Sequence, residues 1–367
     1  MRHALGLVLA ASVAVAAMPG RVGAAEKSEV AKAHDALDRT MPETLARFHI
    51  PAVSIARIRS GRVDLVAAYG LRDGAHPATA ATLFNVASLT KPLAAQTVLR
   101  LASEGRFLLD EPLSKTWADP DVRDDPRAAL LTPRIMLSHQ TGFANWRHQT
   151  GGKLGFAFTP GKGYGYSGEG YEYLRHWLRA RTGKALDVEA QAQVFTPAGM
   201  TETAFTAQRW FKGRLAHPAV DGGFIPPTLP DEPSAADNVH TTARDYARFL
   251  VWLMGSGGLT PDLAAEQRTI QASQGDELCN KAMPAHCPES AGFGLGWQVI
   301  HLGAKTFLMH TGNDAGEFSF AYWSPDTREG AVILTNGNRG AEAVLAAIDL
   351  LGFDPDYAAF LKALAAK

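Results

Sequence analysis

Two side chains three residues apart carry the first chemical signal in this 367-residue chain. Ser88 and Lys91 lie in the run Phe84-Asn85-Val86-Ala87-Ser88-Leu89-Thr90-Lys91-Pro92-Leu93. On a helix such a pair shares one face, with Cβ atoms about 5–6 Å apart. A serine hydroxyl is a weak nucleophile until a neighbouring base takes its proton. A lysine amine becomes that base when a dry pocket or a second cation depresses its pKa. Chance alone supplies about one Ser-x-x-Lys in a chain of this length, so the pair needs company.

Two further stretches provide it. Pro160 to Tyr171 is glycine-rich and puts Tyr166 just before a helix expected over 171–181. A phenol held near an ammonium ionises more easily and can shuttle protons between nucleophile and leaving group. The plain alternative is an aromatic side chain in a flexible loop. The other stretch, Phe307 to Gly316, contains His310-Thr311-Gly312-Asn313, follows an alternating segment and reads as a strand edge lining a cleft. Its glycines let the backbone approach a substrate closely. The N–H of Asn313, with that of Ser88, would form a two-donor hole for a tetrahedral oxyanion, and Thr311 would hydrogen-bond substrate. For His310 the plain alternative is a partly buried histidine at a strand end.

Behind these groups the chain reads as α+β. Glu29 to Phe48 has helical spacing, and Val53–Ile58 and Val63–Tyr69 flank Ser60-Gly61-Arg62 as a hairpin. Leu93 to Leu101 is an apolar helix ending near Gly105, with Ser88 expected in its first turn, where free N–H groups favour an anion. From Ser103 to Gln274 short helices alternate with loops, and the longest loop, Arg209 to Ala236, has five prolines and could wall the cleft. Strand-like runs follow at 295–301, 306–309, 317–323 and 330–334, then a helix over 340–351 and a second short one. Strands at both ends with helices between imply one antiparallel sheet assembled from the two ends, flanked by helices, with a mostly helical insert. The expected division is 25–105 plus 275–367 for the sheet domain and 106–274 for the helical one, with Ser88 at the seam.

Taken together, Ser88-x-x-Lys91, Tyr166-Ser167-Gly168 and His310-Thr311-Gly312 resemble the motifs of the penicillin-recognising serine hydrolases. Within them the chain is most similar to the branch holding class C β-lactamases, D-alanyl-D-alanine carboxypeptidases and β-lactamase-like esterases. Met136–Phe143, Thr241–Phe249 and Phe293–Trp297 also match, and the resemblance runs from about Ile50 to Asn338. It implies a β-lactamase/transpeptidase-like fold and an acyl-enzyme on Ser88. Lys91, Tyr166 and His310 would be the other catalytic residues, with Thr311, Gly312 and Asn313 at the substrate and oxyanion. Whether Lys91 or Tyr166 is the base stays open, because coupled groups share the role. His310 either assists Tyr166 or orients substrate.

Two departures bear on substrate. Where β-lactamases and many of the peptidases carry Asn, whose amide binds the substrate's acylamino group, this chain has Gly168. Where β-lactamases have Lys, it has His310, as some carboxypeptidases and esterases do. A substrate amide without its partner binds poorly. The expected activity is therefore esterase-like on small esters or amides. The alternatives are a D-alanyl-D-alanine carboxypeptidase or β-lactamase, or a silent binding protein of the same fold.

Composition suits an exported enzyme that needs no cofactor and no metal. Met1-Arg2-His3, an apolar run from Ala4 to Met18 and Val22-Gly23-Ala24 read as a signal peptide over 1–24. That run is shorter than the ~20 residues needed to span a bilayer, so no stable membrane insertion is expected after cleavage. A periplasmic or secreted location follows. Net charge is −1 with signs interspersed, which offers nothing to nucleic acid. The expected partner is a small-molecule ester, amide or peptide substrate, and oligomeric state is left open. Two cysteines, Cys279 and Cys287, would form a disulfide in an oxidising compartment, with free thiols as the alternative. The literal G-x-G-x-x-G at 163–168 follows a turn instead of a strand, so a dinucleotide fold is rejected.

Overall fold

A computed structural model describes residues 24–279 and 286–366. The expected signal peptide thus lies outside the described residues except for Ala24. Strands β1 (Ala52–Arg59) and β2 (Arg62–Gly70) precede four two-residue strands, β3 (Phe84–Asn85), β4 (Ala219–Val220), β5 (Gly223–Phe224) and β6 (His240–Thr241). After them come β7 (Ala272–Ser273), β8 (Ser290–Phe293), β9 (Gln298–Leu302), β10 (Lys305–Asp314), β11 (Glu317–Trp323) and β12 (Gly330–Thr335). The main sheet has the order β2-β1-β12-β11-β10-β9-β8-β7, with every pairing antiparallel. One strand in from the β2 edge, β1 pairs with β12, so the two ends of the chain do share one sheet.

The helices are α1 (Ala24–Phe48), α2 (Thr90–Ser103), α3 (Pro133–Leu137), α4 (Gly168–Thr182), α5 (Leu186–Ala190), α6 (Thr196–Ala198), α7 (Ala243–Met254), α8 (Pro261–Gln267), α9 (Gly275–Leu278), α10 (Gly340–Leu351) and α11 (Pro355–Ala365). Side-chain alternation along the strands sorts them into two layers. Val53, Ile55, Phe307, Met309, Phe320, Tyr322 and Ile333 face one core, shared with α1, α10 and α11. Ala56, Ile58, Leu308, Ala321, Trp323, Val332 and Leu334 face the other, which continues through α2 and α7 to Tyr171, Tyr173 and Trp177 of α4. His310 and Gly312 have the parity of Leu308 and so belong to the face that meets the insert.

Three local details differ from expectation. Ser88 is not inside α2 but in a separate one-turn 3-10 helix, Ala87–Leu89, because Ala87 turns left-handed (φ 46°) and Leu89 then caps α2. Helix α4 starts at Gly168, earlier than 171, because the Ser167 hydroxyl caps it by accepting the Gly170 N–H. Strand β10 runs on to Asp314, past the expected end at Met309. Its ladder with β9 stops at Met309, whereas that with β11 continues to Asp314, so residues 310–314 keep one uncovered edge. No helix among the described residues is long and apolar enough to cross a membrane.

Candidate active site

The turn bearing Ser88 is held against the segment 239–241. Phe84–Asn85 pairs with His240–Thr241, and the Val86 N–H donates to the Val239 carbonyl at 2.9 Å. Lys91, in the first turn of α2, is fully buried. Its Nζ lies 2.9 Å from Ser88 Oγ and donates to the Ala236 carbonyl at 2.9 Å. That carbonyl is the end of the long proline-rich loop, which therefore does reach the site. Around the amine stand the faces of Tyr166, Trp146 and Tyr171, with ring centres at 5.0, 5.9 and 5.9 Å. No carboxylate pairs with Lys91 among the described residues.

Gly312 brings the β10 edge against this turn. A Cβ there would stand 2.2 Å from the Val86 carbonyl oxygen and 3.0 Å from the Ser88 nitrogen, so only glycine fits. Ser88, Tyr166, His310, Thr311 and Asn313 all line one cavity of about 280 Å³. The sequence-expected residues thus share a site, with Gly312 contributing close backbone approach.

His310 is neutral. Burial, with Lys91 nearby, pulls its imidazole down to about 3, against a hydrogen bond to the Thr311 carbonyl. That contact (2.7 Å) requires the proton on Nδ1, which leaves the buried Nε2 as a lone pair with no partner among the described residues. Its ring centre is 6.1 Å from that of Tyr166.

Several lining groups escaped the sequence reading. His139 is wholly buried, with its ring 4.3 Å from that of Tyr166, and its Nδ1 accepts the Ser167 N–H at 3.1 Å. Burial, then Lys91 and His310, hold it well below its ordinary pKa, so it too is neutral. Its stretch was matched, but its ring contact with Tyr166 depends on a fold contact invisible in sequence. Asn145, Tyr164, Gln274, Phe293 and Gln298 also line the cavity. Asn145 had no local signal. Its Oδ1 accepts the Gly168 N–H at 2.8 Å, which turns its NH2 away from that contact. The NH2 groups of Gln298 and Gln274 are spent on Gln274 and Glu277. A hydroxyl, an amine and a phenol around a concave site lined by backbone donors can carry out acyl transfer.

Known proteins agree with that class. The family model described as Beta-lactamase matches residues 37–352. The chain belongs to this β-lactamase-fold family of serine hydrolases. It is 26% identical over 302 residues to Esterase EstB of Burkholderia gladioli, covering 66% of this chain and 75% of that one. To Penicillin-binding protein 4 of Amycolatopsis lactamdurans it is 24% identical over 311 residues, covering 79% and 81%. The solved D-alanine carboxypeptidase AmpC of Burkholderia cenocepacia shares the fold, with a TM-score of 0.72 at 20% identity over 88% of this chain and 99% of that one. As expected outside the reducing cytoplasm, Cys279 and Cys287 are joined by a disulfide.

Proposed function

We propose that this chain is an exported hydrolase that forms an acyl-enzyme on Ser88 and acts on small carboxylic esters. The observation that carries the reading is the buried Lys91 amine, 2.9 Å from the Oγ of Ser88, which itself lines one cavity with Tyr166. Ser88 Oγ attacks the carbonyl carbon as its proton passes to the Lys91–Tyr166 pair. The N–H groups of Ser88 and Asn313 hold the oxyanion. Tyr166, whose ring centre lies 6.1 Å from that of the neutral His310, returns the proton to the departing alkoxide. Water then attacks the ester carbonyl, giving up its proton by the same route, and Ser88 is regenerated.

Esters are favoured because position 168 has no side chain to receive a substrate amide and because the chain is similar to an esterase. The second reading, a D-alanyl-D-alanine carboxypeptidase, draws on Asn145, which lines the cavity and whose NH2, turned away from Gly168, would serve a peptide carbonyl. Export rests on the Met1–Ala24 pattern and the disulfide. We take 106–271 as the insert domain, since β7 at 272–273 already belongs to the sheet, with the Ser88 turn at the seam between them.

The test is to incubate the protein with a short-chain nitrophenyl ester, a penicillin and a D-alanyl-D-alanine peptide, following turnover and intact mass. Fast ester turnover with an adduct at Ser88, absent in Ser88→Ala, is expected. Preference for the peptide would favour the carboxypeptidase. Neither adduct nor turnover with any of them would indicate a silent binding protein.

A further inference from the structure

Beneath the Ser88 turn lies a buried carboxyl group that the chemistry above does not use. Glu317 opens β11 and is 4% exposed. Its Oε2 accepts from Asn85 Nδ2 at 2.6 Å, and the Oδ1 of the same Asn85 accepts from the Ala87 N–H at 3.1 Å. Ala87 is the left-handed residue directly before Ser88 (φ 46°). That conformation is uphill for any residue with a Cβ, so it persists only where its surroundings hold it. Two residues along the same face of β11, the Ser319 hydroxyl donates to the Val86 carbonyl at 2.6 Å. The strand therefore grips residues 85–87 at two points, one through Glu317 and one through Ser319.

We propose that Glu317 is a positioning residue: through Asn85 it maintains the left-handed turn that aims the Ser88 hydroxyl at Lys91 and its N–H at the cavity. Without the carboxyl group the Asn85 amide is free to rotate, the Ala87 N–H loses its acceptor, and Ser88 is released from its orientation. Asp314, its cross-strand neighbour, and Asp237 are the charged groups that act on it. Burial chiefly, with those two carboxylates adding to it and the Asn85 hydrogen bond opposing, pushes the Glu317 carboxyl up to about 8. It is accordingly protonated near neutrality, as a neutral clamp should be. The inference rests on the reading of Ser88 as the acylated group.

Its test is steady-state kinetics on the nitrophenyl ester with Glu317→Ala, Glu317→Gln, Asn85→Ala and the double alanine variant. Glu317→Ala is expected to lower kcat about tenfold or more with KM within about twofold. Glu317→Gln, whose amide oxygen still accepts from Asn85, should restore most of that loss. The double variant should be no worse than the poorer single one, because the two residues act as a unit. Wild-type kcat in folded Glu317→Ala, or penalties that add, would overturn the proposal. Should Glu317→Ala fail to fold, Asn85→Ala decides on the same readout: kcat lowered about tenfold or more with KM within about twofold is expected, and wild-type kcat refutes the clamp. If wild type itself neither turns over nor forms a Ser88 adduct, the hydrolase reading falls and this inference with it. If wild type acylates and the variants match it, this inference alone falls.

Discussion

Trp146 occupies the space that a side chain on Gly168 would need. A Cβ at that glycine would stand 2.8–3.0 Å from three atoms of the Trp146 ring. The same indole lies 5.9 Å from the Lys91 amine, so glycine at 168 and tryptophan at 146 together shape one wall of the site. The asparagine seen at this position in related hydrolases cannot be accommodated while Trp146 stays where it is.

Gly168→Asn should therefore act as overpacking and confer no new amide recognition. Its expected cost is about 1–3 kcal/mol. Thermal melting measures the loss, and kinetics on an acylamino ester against a plain ester of equal length measures recognition. An unchanged melting temperature with faster acylamino turnover would contradict the packing account.

Lys91→Met should keep the fold and lose the reaction. In the proposed mechanism Lys91 shares the proton of Ser88 with Tyr166; loss of such a proton-transfer group typically costs 10²–10⁴-fold, and kcat/KM on the ester should fall by about that factor. The melting temperature should rise, because a wholly buried amine without a paired carboxylate gives way to an apolar chain of similar length. Calorimetry alongside the kinetics checks both.

Gly312→Ala places a methyl 2.2 Å from the Val86 carbonyl oxygen and 2.3 Å from Ser319 Oγ. Either the β10 edge or the Ser88 turn must move. A displacement of about 1 Å is enough for a loss on the order of 10² in kcat. The ester assay with active-site titration by a serine-directed phosphonate measures kcat per competent molecule.

Acid should destabilise the protein through His310. Its folded pKa of about 3 lies below the ordinary 6.5, so the unfolded chain binds the extra proton first. The stabilising contribution of the neutral ring is complete above about 6.5 and is lost as pH falls from there towards 3. His310→Gln should flatten the pH dependence of stability between about pH 6 and 4 by up to ~1.4 kcal/mol per unit. His139, also held neutral by burial, leaves a second slope in that window, so the double Gln variant should be flatter still. Urea titrations at stepped pH supply the numbers.

Much of the fold could be read directly. The hairpin at 52–70, β11 at 317–323 and the helix at 340–351 carry strong local patterns: turn residues, an aromatic-rich run and a terminal glycine. The failures share a cause. Local periodicity places Ser88 inside a helix because it cannot see the left-handed residue at Ala87, and it ends β10 at Met309 because residues 310–314 lose their β9 partner there, though not their β11 one.

By itself, the order of residues determined the candidate reactive groups and the family they mark, since Ser88, Lys91, Tyr166 and His310 need only identity and spacing to be recognised. Tertiary structure alone decided that Lys91 is buried with no paired carboxylate among the described residues, that Trp146 fills the place beside Gly168, and that Asn145, His139 and Glu317 lie around the Ser88 turn and Tyr166. Those relationships join residues from about twenty to more than two hundred positions apart. Only packing of the sheet against the insert brings such groups within hydrogen-bonding and van der Waals range, and no local pattern in the chain encodes a contact of that kind.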